Sequence, residues 1–245
     1  MDNPFDGSAV QLVPQNVEKL PLWHWRPGAR LLAIGSRDGA SFDGAIDASE
    51  ERSFRRELGP ALLTAAQERA GTDGVFACWS ESLLYPRSVA QLREHRIGVL
   101  AVATAGHGPA DALEGLLDEV GAWVLMIGDN PGQHAAAIMR GGRHVEVVLG
   151  LPNTPPADLP WDAVAAVHVQ AQRTIAAVGA ELAAWEQAAC AALPSALPCY
   201  GHGDNHTLCG CGATLVWRSS GRSRRDSLGN DGCCTACGAP SAITL

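Results

Sequence analysis

Five of the eight cysteines are gathered between Cys209 and Cys237, first as Cys209-Gly-Cys211-Gly and then, beyond residues 212–232, as Cys233-Cys234-Thr-Ala-Cys237-Gly. No other feature constrains the folding of this chain so tightly. A Cys-x-x-Cys-Gly turn aims two thiolates at one point, and the glycine after it tolerates the backbone angles the turn demands. Two such corners joined by a hairpin complete a tetrahedral four-sulfur site. The segment ATLVWRSSGRSRRDSLGNDG reads as that hairpin, with Leu215–Trp217 outbound, a turn near Gly221 and Leu228 returning. So small a module has too little core to fold unaided, and a bound metal would supply the folding energy. The expected ligands are Cys209, Cys211, Cys234 and Cys237, and the expected ion is zinc. The first corner is one residue shorter than usual, so Cys199, His202, His206 and Cys233 are alternates for a ribbon ligand. Four thiols also suit iron, and a ribbon that has lost its metal is the plainer alternative.

The same hairpin carries Arg218, Arg222, Arg224 and Arg225 in a chain whose net charge is −8. The arginines read first as a solvated hairpin tip and second as a docking patch for an acidic partner. No aromatic ladder accompanies them along the sequence, so neither RNA nor DNA is favoured as a partner. The overall acidity argues the same way for the chain as a whole.

No apolar run reaches the roughly 18 residues that would span a bilayer. The start, MDNPFDGSAV, has neither the basic nor the apolar region of a signal peptide. A cytoplasmic location is therefore expected, where thiols stay reduced. On that reading the cysteines are ligands or buried thiols rather than disulfides, and Cys78, alone inside Val75–Trp79, is a core thiol.

Short apolar runs ending in glycine or polar residues read as buried strands: Leu31–Gly35, Val75–Trp79, Gly98–Ala103, Trp123–Ile127 and His144–Gly150. Helical patterns lie between them, at Arg55–Arg69, Pro86–His95, Pro109–Val120 and Gly132–Arg140. A long Ala-rich helix is expected over Trp161–Ala192, followed by LPSALP as a linker. The alternation predicts parallel β/α units, arranged either as a partial barrel or as a doubly wound sheet. In both, ligands gather beyond the carboxyl ends of the strands. That singles out Ser36–Asp43, Glu81, Thr104–His107, Asp129–Asn130 and Pro152–Thr154. The loop GDNPGQH (Gly128–His134) is a candidate phosphate cradle at a helix start.

Taken in order, several segments carry a family resemblance. These are LPLWHWRPGARLLAIGS (Leu20–Ser36), FACWSES (Phe76–Ser82), AVATAGHG (Ala101–Gly108), HVEVVLGLPNT (His144–Thr154), and GHGDNHTLCGCG followed by GCCTACGAP. Together they resemble the radical-SAM proteins of the AmmeMemoRadiSam type, which are themselves similar to pyruvate formate-lyase activating enzymes. The resemblance implies an α/β fold, a truncated partial (β/α) barrel of radical-SAM type over residues 1–198, with a zinc ribbon over 199–245. It places Glu81 at a cofactor pocket, and His24 and Trp25 as packing residues at the barrel's bottom.

In that family the first strand leads into Cys-x-x-x-Cys-x-x-Cys, which holds a 4Fe–4S cluster. Here the three cysteine positions align with Gly39, Asp43 and Ile46, and no thiol precedes Cys78. Glycine and isoleucine offer no ligand, so no 4Fe–4S cluster is expected and the radical cleavage of S-adenosylmethionine has no electron source. The chain is also shorter than the family after the fifth strand, which puts a sixth strand in doubt. The expectation is a pseudoenzyme with no catalytic residues: a binding or assembly subunit with a structural zinc, partnered by an active paralogue or a genomic neighbour's product. Two alternatives stay open. One is a methyltransferase-like enzyme that binds S-adenosylmethionine through LLAIGSRDG and Glu81, or an oxygen-ligand site at Asp38, Asp43 and Asp47. The other is an interaction module acting through the ribbon.

Overall fold

The computed structural model describes residues 10–36, 53–54, 60–77, 98–128, 130–171, 180–201, 204–219 and 222–245. Nine strands form one sheet: β1 (Val10–Asn16), β2 (Arg30–Ser36), β3 (Ser53–Phe54), β4 (Gly74–Ala77), β5 (Val99–Thr104), β6 (Ala122–Ile127), β7 (Val145–Leu151), β8 (Ala166–Ala171) and β9 (Cys199–Tyr200). Their order is β3-β1-β2-β4-β5-β6-β7-β8-β9. From β2 to β9 every neighbour is parallel. Only β1, against β2 and β3, is antiparallel.

Side-chain alternation sorts the strand residues onto two faces. Leu32, Ile34, Val75, Leu100, Val102, Trp123, Leu125, Val147 and Val167 join one core, together with Leu63 of α1 (Pro60–Ala70), Leu116 of α2 (Leu116–Glu119), Ile138 and Met139 of α3 (Ala135–Gly141) and Ala189 of α4 (Ala180–Ala191). Leu31, Ala33, Phe76, Ala101, Ala103, Ala122, Val124 and Val148 form the other core, covered by Val17, Leu20, Leu22 and Trp25 from the segment between β1 and β2. The described helices thus share one face, and the parallel strands β2 and β4 to β9 run across the sheet in chain order without reversal, with β1 and β3 added antiparallel outside β2. A doubly wound sheet needs that reversal and needs helices on both faces. Among the described residues the sheet is mostly parallel and shows no such reversal. Among the described residues, no pairing closes β9 onto β3.

All five strands expected from the sequence are present within a residue or two, up to the limit of the described residues at Ala77. The helix expected over Trp161–Ala192 is not one helix. A 3₁₀ turn at Trp161–Ala163 is followed by β8, and the helix described beyond it is α4, Ala180–Ala191. The reason lies in AVHVQA: β-branched Val167 and Val169 enter the helix-side core while Ala166 and His168 are buried on the opposite side. Two-sided burial suits an internal parallel strand. The sixth strand is thus present, as β8. The helix expected at Pro109–Val120 shrinks to the single turn of α2 after a run of turns. Of Arg55–Arg69, α1 covers the part from Pro60, and Pro86–His95 lies outside the described residues.

Three further strands, β10 (His206–Leu208), β11 (Thr214–Ser219) and β12 (Arg222–Arg225), make a separate antiparallel sheet in that order. Its small core is Leu215, Val216, Leu228, Cys234 and Ile243. Five side chains are a meagre core for a folding unit. No helix of the described residues is long and apolar enough to cross a membrane.

Candidate metal centre and its attachment to the sheet

The turn after β10 presents Cys209 and Cys211, closed by hydrogen bonds from Cys209 N–H to the Ala213 carbonyl and from Gly212 N–H to the Cys209 carbonyl, both 2.8 Å. The facing turn presents Cys234 and Cys237, closed by Gly238 N–H donating to the Cys234 carbonyl at 2.7 Å, with Gly238 at φ +76°. That positive φ is what the glycine after the second cysteine supplies. The four sulfurs all lie within 4.8 Å of one another. Cys209 Sγ stands 3.5 Å from Cys237 Sγ, and Cys211 Sγ 3.9 Å from Cys234 Sγ. Among the described residues they are the one group of three or more His, Cys, Asp or Glu side chains placed to hold a metal ion. Cys234 is buried while Cys211 and Cys237 are exposed. Although burial opposes it, the backbone N–H groups of Ala236 and Cys237 bring the Cys234 thiol down to about 7. The Ala239 backbone favours the Cys237 thiolate, but the neighbouring sulfurs of Cys211 and Cys209 outweigh it and push that thiol up to about 12. Crowded thiols lose their protons together only when a cation shares the charge, so the donor set fits a thiophilic metal.

The alternates fall elsewhere. His206 is exposed on β10, opposite Trp217. Cys233 stays outside the group of four, its N–H donating to Asp231 at 3.0 Å. His202 lies outside the described residues. Cys199 is joined to Cys190 in a disulfide, where α4 ends and β9 begins. This corrects two expectations, that Cys199 could be a ligand and that the chain's cysteines form no disulfide. The linker LPSALP folds the chain back sharply enough to bring the two Cα atoms within 5.7 Å.

A second polar cluster, not visible as a motif, joins this module to the amino-terminal ends of β7, β8 and β9. Glu146, second in β7, is fully buried. Its carboxylate accepts from His144 Nε2 at 3.0 Å, His168 Nε2 at 2.7 Å, Trp23 N–H at 3.0 Å and His24 N–H at 2.8 Å. Burial alone would raise the carboxyl's pKa, but the hydrogen bonds from His144 and His168 hold it well below the usual carboxylate range. Because an ionised carboxylate only accepts, both rings carry a proton on Nε2. His24 is buried, and burial pushes it down to about 4. Its Nε2 meets the Tyr200 hydroxyl at 2.7 Å. Tyr200, raised to about 12 by burial, stacks on His168 at 5.5 Å and donates to Thr207 of β10 at 3.3 Å.

From the module's side, the buried Arg218 of β11 donates to Thr207 Oγ1 at 2.8 Å and to the Trp23 carbonyl at 2.5 Å, with its guanidinium 4.8 Å from the Trp23 ring centre. Thr244 N–H donates to the His24 carbonyl at 2.7 Å, Arg26 N–H donates to the Thr244 carbonyl at 2.6 Å, and the Thr244 hydroxyl meets His144 Nδ1 at 3.2 Å. The peptide groups of Trp23 and His24 are therefore gripped from both sides: their N–H groups by Glu146, their carbonyls by Arg218 and Thr244. His24 and Trp25 are buried at this end of the strands.

Glu81, Cys78, Gly39, Asp43, Ile46, Asp38, Asp47 and Asp129 lie outside the described residues. His107 is exposed. Thr104 is buried and accepts from Gly106 N–H at 2.9 Å. The loop GDNPGQH does not present a phosphate cradle. Gly132 N–H and His134 N–H already donate to the carbonyls of Ala105 and Gly106 at 3.0 Å, and His134 Nε2 bonds the Pro109 carbonyl at 2.8 Å. A Cβ at Gly132 would stand 2.0 Å from the Gly106 carbonyl carbon, so the glycine serves this close approach of two loops. Sequence reasoning missed the Glu146 cluster because its members come from distant segments. Its one sign was a glutamate inside the apolar run HVEVVLG.

Compared with protein-family models, curated proteins and solved structures, the chain matches none of them.

Proposed function

We propose that this protein is a non-catalytic binding or assembly subunit whose C-terminal module is a structural zinc ribbon. The observation that carries the metal reading is the convergence of Cys209, Cys211, Cys234 and Cys237 within 4.8 Å on two turns of a sheet with almost no core of its own. Four cysteine ligands in a closed set favour zinc over ions that prefer oxygen. The zinc would supply structure and no chemistry: it would fix both turns, and through them the segment that carries Thr244 to His24.

The radical-SAM-like reading of the larger domain belongs to the same proposal. It is supported by parallel strands in chain order, helices sharing one face, and the absence of cysteine from the first 77 positions. Metal analysis of the purified protein tests the proposal. About one zinc per chain, without iron and without a brown chromophore, is the expected result. An iron–sulfur spectrum with reductive cleavage of S-adenosylmethionine would overturn it.

A further inference from the structure

The outer face of the small sheet shows a grouping that the linear sequence conceals. In the β10–β11–β12 register His206 stands opposite Trp217, and Trp217 opposite Arg224. The three side chains thus form one row across the sheet. Thr207, Val216 and Arg218 alternate with them and point inward, where Arg218 and Thr207 hold the seam with the larger domain. The row itself is open: His206 and Arg224 are exposed and Trp217 is half-buried. Arg224 lies 5.9 Å from the Trp217 ring centre, kept there by Asp226, which takes its Nε at 2.7 Å and its Nη2 at 3.2 Å. Leu208, beyond the register shift that follows Thr207, is 60% exposed. Arg222, two residues from Arg224, extends the same side and makes no ion pair among the described residues, and Arg225 adds a further exposed cation at the edge.

Residues 205–225 contain no aspartate or glutamate, although the chain holds 26 acidic residues; Asp226, next in sequence, offsets Arg224, and Arg222 and Arg225 make no ion pair among the described residues. The sulfur cluster, whose thiolates would repel a polyanion, follows Leu208 at the far end of β10, whereas Arg222 and Arg224 lie toward the β11–β12 turn. Charge therefore selects an anionic partner for this face. The indole and imidazole in register with the arginines select flat bases over carboxylates alone, since stacking on an exposed ring between cations is how sequence-tolerant single-strand binding surfaces work. We propose that this face binds single-stranded nucleic acid, with Trp217 as the stacking platform, His206 and Leu208 flanking it, and Arg222 and Arg224 on the phosphates. The inference goes beyond the structural role assigned to the ribbon and adds a partner class that the acidic net charge conceals.

The test uses the full-length, metal-loaded chain and fluorescence anisotropy of labelled oligo(dT) and oligo(U). Binding should weaken steeply between about 50 and about 200 mM salt. Replacing both cations by neutral glutamine (R222Q/R224Q) should lower the slope of log affinity against log salt by roughly 1.4. Trp217→Leu should weaken binding by about tenfold while Trp217→Phe keeps most of it. Each variant is compared at equal metal content, so failure of the module to fold is read separately from loss of the binding face. The proposal is overturned if the oligonucleotides do not bind at low salt, or if these variants bind as the parent does. It is equally overturned if polyglutamate competes as well as the oligonucleotide, which would make the face a charge-only dock for an acidic protein, or if duplex DNA binds as tightly as single strands.

Discussion

The two polar clusters of this protein meet the same problem, many polar groups brought close together, by opposite means. Around Glu146 each charge has its answer in the chain: four donors for one carboxylate, with Arg218 supplying nearby positive charge. Around Cys234 the four sulfurs have only each other and a few backbone N–H groups. The Glu146 carboxylate is fully answered on folding, although His24 Nδ1 and Arg218 Nε beside it find no partner. The second is complete only with a cation. Yet the two are mechanically joined, because the residues after Cys237 run through Ser241 and Ile243 to Thr244, which lies against His24 and His144. A metal that holds the turns would therefore also hold one side of the grip on Trp23 and His24.

The largest effect that could break this comparison is removal of the metal. Cys234→Ser with Cys237→Ser, or a strong chelator, should cost the module a stabilisation on the scale of about 10–16 kcal/mol known for structural zinc in small domains. Circular dichroism and bound-metal analysis should show β10–β12 lost while the large sheet persists. Next comes Glu146→Ala, which strands four buried donors and should lower unfolding free energy by about 3–5 kcal/mol, read from denaturant midpoints at constant slope.

The acid response sharpens the contrast further. His24 titrates lower in the folded than in the unfolded chain, so the unfolded state takes up its proton first and stability falls as pH drops from about 6.5 to about 4. The shift corresponds to a loss of roughly 3 kcal/mol. Glu146, also depressed, contributes stability above its unfolded value and adds a steeper loss as pH falls through the carboxylate range. Unfolding midpoints measured from neutral pH into that range should show both phases, and His24→Asn should remove the upper one. The smallest effect is expected at Leu208, whose side chain is mostly exposed. Leu208→Ser should change stability by less than about 0.5 kcal/mol.

The sequence made some of this architecture readable and hid the rest for physical reasons. Strands such as Val99–Thr104 and Ala122–Ile127 could be read because two-sided burial makes an uninterrupted apolar run. β8 was concealed by the alanines around it, which fit a helix as well as a packed strand; only pairing with β7 decides between the two. β1 was concealed by Pro14 and by the glutamines within it. The thiol cluster was legible because its ligands are local in sequence, two residues to a turn. The Glu146 cluster was not, since His24, His144, His168, Tyr200 and Arg218 come together only through the order of the strands and the docking of the module. The disulfide between Cys190 and Cys199 was not legible either, because the two cysteines meet only through the way LPSALP returns the chain.

Hydrogen–deuterium exchange before and after chelation tests the central claim most directly, that metal at the cysteine cluster holds the module to the base of the sheet. Loss of metal should deprotect the amides of β10, β11 and residues 233–244. The amides of Arg26 and Thr244, which bond across the seam, should open with them, while β5 to β7 stay protected. Unchanged protection at Arg26 and Thr244 after complete removal of the metal would contradict the account.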